Sequence, residues 1–494
     1  MKALKITSLS IILAAFTLLT GCEKLKDFGD TNVNPNATTK PNTAALLSNV
    51  LAGVASRASQ QNPGYYCQYF SETQYPGVSL YSTPQFDFDG IYAGAMYDCQ
   101  NIINTCNSDP ASASANGSVQ NQKAIATILK CYYYWTITDA WGDIPYSEAL
   151  NIANSFPKYD SQEDIYKGII SELTTVVDNF EENGSAVRGD LAYNGDISKW
   201  KRLANSIRVL MSLRLSKRFS GDTEFAAQTM RAALSHPAGV IDDNVHNFKI
   251  AYPGGNFRSP WFATYDARDD LGESLFFVQL LNSMGDRRQA DRVFGSSDNG
   301  VPYGRDRATF MNNWFAANST TYSKVLGAQY RQSNSTVSLV HAAAVLFAQA
   351  EAREREWLTT GPTASALYQS AITASYTQWG LPATAVSTYL TNPLVAYGTD
   401  NLKKIAIQRY VALYPDGLQG WCEWRRTGYP ELTPAQDATN TTKVIPRRYN
   451  YGQRDYSTNR LNVQAAAAAI PLPVPTPPGA AAGDTQDGRV WWDR

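Results

Sequence analysis

Residues 161–180 read SQEDIYKGIISELTTVVDNF, and their spacing decides the fold class. Ile165, Ile169, Leu173 and Val176 recur at three- and four-residue intervals, which places them on one face of a helix. Ser161 precedes the run, and Asp164 follows three residues later. A Ser at that position accepts a backbone N–H of the first turn, and an acid there answers the positive end of the helix dipole. The stretch predicts an amphipathic helix with one apolar stripe, and such a stripe needs a partner to bury it.

The same period returns on both sides. Residues 43–59 carry Leu46, Val50 and Val54, and residues 117–139 carry Ile125, Ile128, Leu129, Tyr132 and Trp135. Residues 198–219 carry Trp200, Leu203, Ile207, Leu210, Met211 and Leu215; residues 337–358 carry Leu339, Leu346, Phe347, Ala350 and Trp357. Residues 363–380 and 399–414 repeat the pattern. Period-two alternation is scarce, with short strands expected near 239–250 and 444–451. Several helices of this length joined by short turns predict an all-α fold built as a stack of helix hairpins. A clean 34-residue repeat is missing, so any tetratricopeptide character is degenerate.

Two aromatic, Gly/Pro-punctuated stretches interrupt the helices: 61–92 (QNPGYYCQYFSETQYPGVSLYSTPQFDFDGIY) and 250–334, with Tyr252, Trp261, Phe262, Tyr265, Tyr303, Trp314 and Tyr322. Loops this long inside a domain are functional or disordered, and their aromatic content argues for function. The 471–482 segment (PLPVPTPPGAAA) reads as a polyproline connector, and the apolar Val490-Trp491-Trp492 beyond it is expected to dock on the body.

Composition narrows the chemistry. The chain has 494 residues, 43 Lys+Arg against 44 Asp+Glu, and 18% charged residues. A net charge of −1 argues against nucleic acid as partner, because phosphate binding needs a surplus of cations. Three His and no Cys-x-x-Cys pair argue against a zinc enzyme. The sequence contains no Gly-x-Ser-x-Gly, Walker loop, His-Glu-x-x-His or Rossmann fingerprint. His341 lies in an apolar helical stretch and reads as packing. Asp87-Phe-Asp89-Gly90 carries only the first two acids of a calcium-loop pattern. No metal and no cofactor are expected. The bases of 198–219 (Lys199, Lys201, Arg202, Arg208, Arg214, Lys217, Arg218) read as partners for neighbouring acids rather than as a membrane-facing stripe.

The first residues form an address. Lys2 and Lys5 precede an apolar run, Ile6 to Leu19, too short for a comfortable membrane span. Leu19-Thr20-Gly21-Cys22 then resembles a bacterial lipobox, which makes 1–21 a signal peptide and Cys22 the lipidated residue. Residues 22–42, rich in Asn, Thr, Pro and Asp, read as an extended tether, and 43–494 as one domain with inserts at 61–92 and 250–334. The lipid is the expected membrane attachment. The other five Cys are read as buried free thiols.

Motifs spread over the chain carry a family resemblance. They are Asn32-Val-Asn34-Pro35-Asn36; Asp139-Ala-Trp141-Gly142-Asp143-Ile-Pro145-Tyr146; Pro157-Lys-Tyr159-Asp160; Tyr193-Asn-Gly195-Asp196; Gln349-Ala-Glu351-Ala352; Trp424-Arg425-Arg426-Thr427-Gly428-Tyr429-Pro430; Ile445-Pro446-Arg447-Arg448; and Trp491-Trp492-Asp493. Together they resemble the SusD/RagB family of Bacteroidetes nutrient-binding outer-membrane lipoproteins. The resemblance implies a mostly α fold of degenerate tetratricopeptide-like pairs under long ligand loops. It implies a non-enzymatic, lipid-anchored lid on a SusC-like TonB-dependent transporter, facing the cell exterior. The ligand it implies is a glycan, with peptides the alternative; a surface glycosidase or a protein–protein scaffold are the rivals from other classes. In this reading Trp141-Gly142-Asp143 marks a turn, and Arg425-Arg426 fixes a helix end through carboxylates.

Motif carry-over names no ligand residue, so the candidates come from the aromatic stretches. Sugar rings present C–H patches that stack on aromatic faces, while their hydroxyls want polar side chains. Tyr75, Tyr81, Trp261, Tyr303 and Trp314 are the expected platforms, with Arg305 as polar partner.

Overall fold

The computed structural model describes residues 41–82 and 85–494. Cys22, the leader 1–21 and the tether through residue 40 lie outside the described residues.

Helices follow the apolar period. They run as α1 (Thr43–Val54), α2 (Gln61–Tyr66), α3 (Tyr97–Ser108), α4 (Val119–Trp141), α5 (Gln162–Asp178), α6 (Ile197–Arg214), α7 (Phe225–Ser235), α8 (Leu275–Met284), α9 (Asn312–Asn318), α10 (Ala342–Glu354), α11 (Ala364–Gln378), α12 (Asn401–Leu413) and α13 (Gly417–Thr427). Ser161 caps α5 by accepting the Asp164 N–H at 3.1 Å, and Ile165, Ile169, Leu173 and Val176 are buried beneath it. Asp196 caps α6 in the same way, and Gly428 ends α13 at φ 78°, a conformation glycine adopts without cost.

Sequential helices pack on one another from α3 through α4, α5 and α6 to α7, and α10 packs on α6, α11 and α12. The row closes when α13, packed on α12, also meets α2 near the start of the described chain. This is the mostly helical stack of hairpins that the sequence predicts. Among the described residues three two-stranded antiparallel ribbons pin the loops: β1 (Phe70–Glu72) with β5 (Leu271–Glu273), β2 (Ile144–Pro145) with β3 (Tyr159–Asp160), and β4 (Phe248–Ile250) with β6 (Val337–Val340).

Two local readings change. The 337–358 stretch is not helical throughout. Val337-Ser-Leu-Val340 is a strand, and the helix begins after His341, whose Nδ1 accepts the Ala344 N–H at 3.3 Å. Val-Ser-Leu-Val satisfies both periods, and pairing with the β-branched end of β4 decides between them. The 444–451 stretch carries an isolated bridge, Gln85 to Asn450, in place of a strand. The aromatic stretches are also less loop-like than expected. Residues 61–72 supply α2, β1 and the buried Tyr65, Tyr66, Tyr69 and Phe70, and 250–334 contains β5, α8 and α9.

The core is charged as well as apolar. Arg426 bridges Glu351 at 2.5 Å and Glu423 at 2.6 Å, tying α13 to α10, and Arg409 of α12 also pairs with Glu423. Arg425 departs from the expected role. It donates to the backbone carbonyls of Asp139 and Arg447, each at 2.8 Å, and lies 3.7 Å over the Trp421 ring. Trp492 enters beside it, fully buried, and its indole N–H donates to Asp139 at 2.8 Å. Lys217, Arg202 and Arg214 pair with Asp493, Asp242 and Asp139, as expected for a helix of the stack. All five described Cys are buried free thiols. Among the described residues no helix is long and apolar enough to cross a membrane.

Candidate functional site

Three chain segments meet on one face: 68–82, 301–315 and 433–439. Side-chain and backbone donors stitch them to one another's carbonyls. Gln68 donates to the Thr433 carbonyl at 2.6 Å, Ser71 to Pro302 at 2.8 Å, the Thr439 N–H to Leu80 at 2.9 Å and the Asp437 N–H to Gly304 at 3.0 Å. Gly304 sits at φ 62°, and a Cβ there would strike Ala435, so both turn and approach require glycine. The 72–79 turn winds around the Glu72 carboxylate, which accepts the Gly77 and Ser79 N–H groups at 2.9 Å and the Ser79 hydroxyl at 2.6 Å. Burial raises its pKa, and those hydrogen bonds oppose the rise.

Aromatic rings and cations alternate on this frame. Tyr75 is 59% exposed, and the Arg307 guanidinium stands 4.5 Å from its ring centre. Arg305 lies 4.0 Å over the Phe310 ring, and its Nε donates to Asp437 at 3.0 Å. The Asp306 N–H donates to the same carboxylate at 2.8 Å, and these two donors hold the Asp437 pKa low. Asp306 in turn caps the next turn, accepting the Thr309 N–H and hydroxyl at 2.9 Å. That turn runs straight into α9. Phe310, Trp314 and Phe315 are half-buried there against a small apolar cluster of Val301, Met311 and Tyr322. Rings held this way keep an open edge and a fixed orientation. They offer stacking area without the entropy cost of a mobile side chain, and the neighbouring guanidinium and carboxylate groups can hydrogen-bond hydroxyls.

Five of the six expected residues fall in this assembly, in different roles. Tyr75 is exposed, Arg305 is partly exposed in its ion pair, and Trp314 packs on the apolar cluster. Tyr81 lies beneath, 1% exposed and at φ 64°; its hydroxyl accepts the Ala435 N–H at 2.9 Å and the Tyr303 hydroxyl at 3.3 Å. Burial pushes the Tyr81 pKa up to about 12 and raises that of Tyr303 as well. Tyr81 and Tyr303 thus act as a strut joining all three segments. Trp261 lies elsewhere: it is 2% exposed, packs edge-on against Phe70 at 5.9 Å and lines a separate cavity. Arg307, Phe310 and Phe315 escaped the sequence reading. The i, i+4 spacing of Phe310 and Trp314 was the available signal, and it is short enough to be lost in a stretch read as loop.

Comparison with known proteins agrees with this architecture. Residues 35–452 match the model of the family SusD-like_2, described as starch-binding associating with outer membrane. A solved chitin-binding protein is 25% identical, with a TM-score of 0.73 over 92% of this chain and 100% of its own. A SusD homologue from Bacteroides uniformis is 23% identical, with a TM-score of 0.76 over 92% and 99%. A chitin-binding SusD homologue from Flavobacterium johnsoniae is 23% identical, with a TM-score of 0.73 over 92% and 98%. No curated protein matches the sequence.

Proposed function

The chain belongs to the SusD-like family, and on that premise we propose that it captures oligosaccharides at the Tyr75–Arg307–Trp314 face and hands them to a SusC-like TonB-dependent transporter. The observation that carries the reading is the exposed Tyr75 ring with Arg307 against it, beside fixed, half-buried rings from α9. Aromatic faces meet the C–H side of a sugar, and the Arg305–Asp437 pair can exchange its own hydrogen bond for sugar hydroxyls. The chitin-binding neighbours supply the ligand class. The protein acts by binding, without turnover. Cys22 carries the lipid that holds it to the outer membrane, with 43–494 as the binding body outside the cell.

Calorimetric titration with maltoheptaose and chitohexaose, paired with product analysis, tests the reading. Binding of at least one glycan, without cleavage, and weakened by Trp314→Ala is expected. Cleavage would make the chain a glycosidase, and binding of peptides alone would move the ligand class. Cys22→Ala should shift the protein from the membrane to the soluble fraction. Gentle detergent extraction should co-purify a barrel protein of greater mass; recovery of free monomer after cross-linking counts against the transporter.

A further inference from the structure

A second concavity lies away from the aromatic face. It encloses about 510 Å³ between the β4–β6 ribbon, the 244–247 turn, the end of α11 and the Tyr414-Pro415-Asp416 turn. That volume is within the range of small-molecule sites. Tyr75, Tyr303, Arg305 and Trp314 take no part in its wall, whereas Trp261 does.

The wall has a definite chemistry. Trp379 and Tyr330 supply half-buried ring surface; Trp261 and Tyr414, also in the wall, are almost fully buried. Asn244, Ser338, Thr377 and Gln378 supply amides and hydroxyls between them. Two buried polar atoms of wall residues have no hydrogen-bond partner among the described residues: the Trp379 indole Nε1, a donor, and the Gln378 Oε1, an acceptor. Stranding such atoms is costly, and a small rotation of the Gln378 or Trp379 side chain on binding would let a ligand hydroxyl answer either kind. His341 adds a further donor. Its Nδ1 accepts the Ala344 N–H, so the proton sits on Nε2, and burial lowers its pKa to about 4, which keeps the ring neutral. One cation, Lys249, and one acid, Asp416, stand in the wall, so it selects neither an anion nor a cation.

We propose that this cavity is a second ligand site that takes a neutral mono- or disaccharide, separate from the open face that meets longer chains. The ligand class rests on the glycan reading above; the place rests on the cavity itself. A partly open pocket with ring surface and both donors and acceptors in its wall suits a sugar end, whereas the exposed face suits an extended chain.

The test uses glucose, N-acetylglucosamine and their disaccharides as probes on the intact protein, read by ligand-observed NMR and calorimetry, beside maltoheptaose and chitohexaose. Thr377→Trp closes the cavity from the exposed end of α11. Trp379→Phe removes the indole N–H but keeps a ring, and stands in should the first variant fold poorly. Short-sugar binding is expected to fall at least ten-fold in either variant and to stay within two-fold in Trp314→Ala, with near-UV circular dichroism unchanged. Oligosaccharide binding that is intact while no short sugar binds, or short-sugar binding indifferent to both cavity variants, overturns the cavity site and leaves the open face standing. Short-sugar binding lost in the cavity variants, with no oligosaccharide bound at all, does the reverse. Failure of every sugar to bind the unaltered protein overturns both.

Discussion

Arg426 and Arg305 are both arginines held by carboxylates, in opposite surroundings. The Arg426 side chain is 1% exposed between Glu351 and Glu423, whereas Arg305 and Asp437 are 25% and 30% exposed. A buried pair adds little over an apolar replacement, but removing one partner strands the other charge. An exposed pair contributes at most about 1 kcal/mol and gives up its hydrogen bonds readily. The same chemistry therefore locks the helix stack in one place and stays available to a ligand in the other. Location, more than residue type, separates the scaffold from the site.

The sharpest way to break this comparison is to remove both arginines in turn. Arg426→Met leaves Glu351 and Glu423 buried without it and should cost about 3–5 kcal/mol, or abolish folding. Arg305→Met should cost under about 1 kcal/mol. Urea unfolding of the two variants measures both, and equal losses would erase the distinction. Arg426 also holds the Glu351 carboxyl well below its ordinary value, against the opposing effect of burial. That contribution is complete above the ordinary carboxylate range and disappears as pH falls through the depressed value, so loss of the stack should show in strong acid.

Two tryptophans extend the contrast. Trp261→Ala empties a core position and should lower stability by about 3–5 kcal/mol. Trp314→Ala, in a half-buried ring, should lower it by less, and weaken oligosaccharide binding by about ten-fold or more, the scale of a hot-spot aromatic. Thermal melting with calorimetric titration separates the two effects. A Trp314 variant that binds normally removes α9 from the site.

Glu273 lies on β5, opposite Phe70 of β1. It is fully buried and accepts the Ser323 hydroxyl at 2.7 Å, and its pKa is pushed up to about 8 by desolvation. The folded protein therefore keeps a proton that the unfolded chain releases near pH 4.5. Stability should fall as pH rises from about 4.5 to about 8, with a slope of up to about 1.4 kcal/mol per pH unit from this group, and level off above. Glu273→Gln should flatten that part of the pH–stability curve, and an unchanged slope would assign it to other groups. The smallest effect is expected from Arg307→Ala, which should reduce oligosaccharide affinity several-fold with the melting temperature unchanged. A fall in melting temperature comparable to that of Trp261→Ala would mean that the Tyr75–Arg307 contact holds the fold.

The scaffold was legible because its signals are local. Ser161, Asp164 and the Ile165–Val176 stripe define α5 within one short window, and the Arg425-Arg426 motif lies within a single helix. The β6 strand was hidden because Val337–Val340 fits either period until β4 lies beside it. The site was harder, since its geometry is made by contacts far apart in sequence. Tyr75 meets Arg307, and Asp437 fixes Arg305, with nothing in any one window to announce it. Trp261 and Trp314 look alike as residues of one aromatic stretch; packing against Phe70 encloses the first and an open helix leaves the second half in solvent.

The burial of Trp492 carries a consequence for the order of events in the cell. Its indole N–H meets Asp139, and Arg425 stacks on its ring at 4.7 Å, so this late residue is a keystone between α4 and α13. The two hydrogen-bonded residues are 353 positions apart, so this tie between α4 and α13 forms only once the later one has emerged.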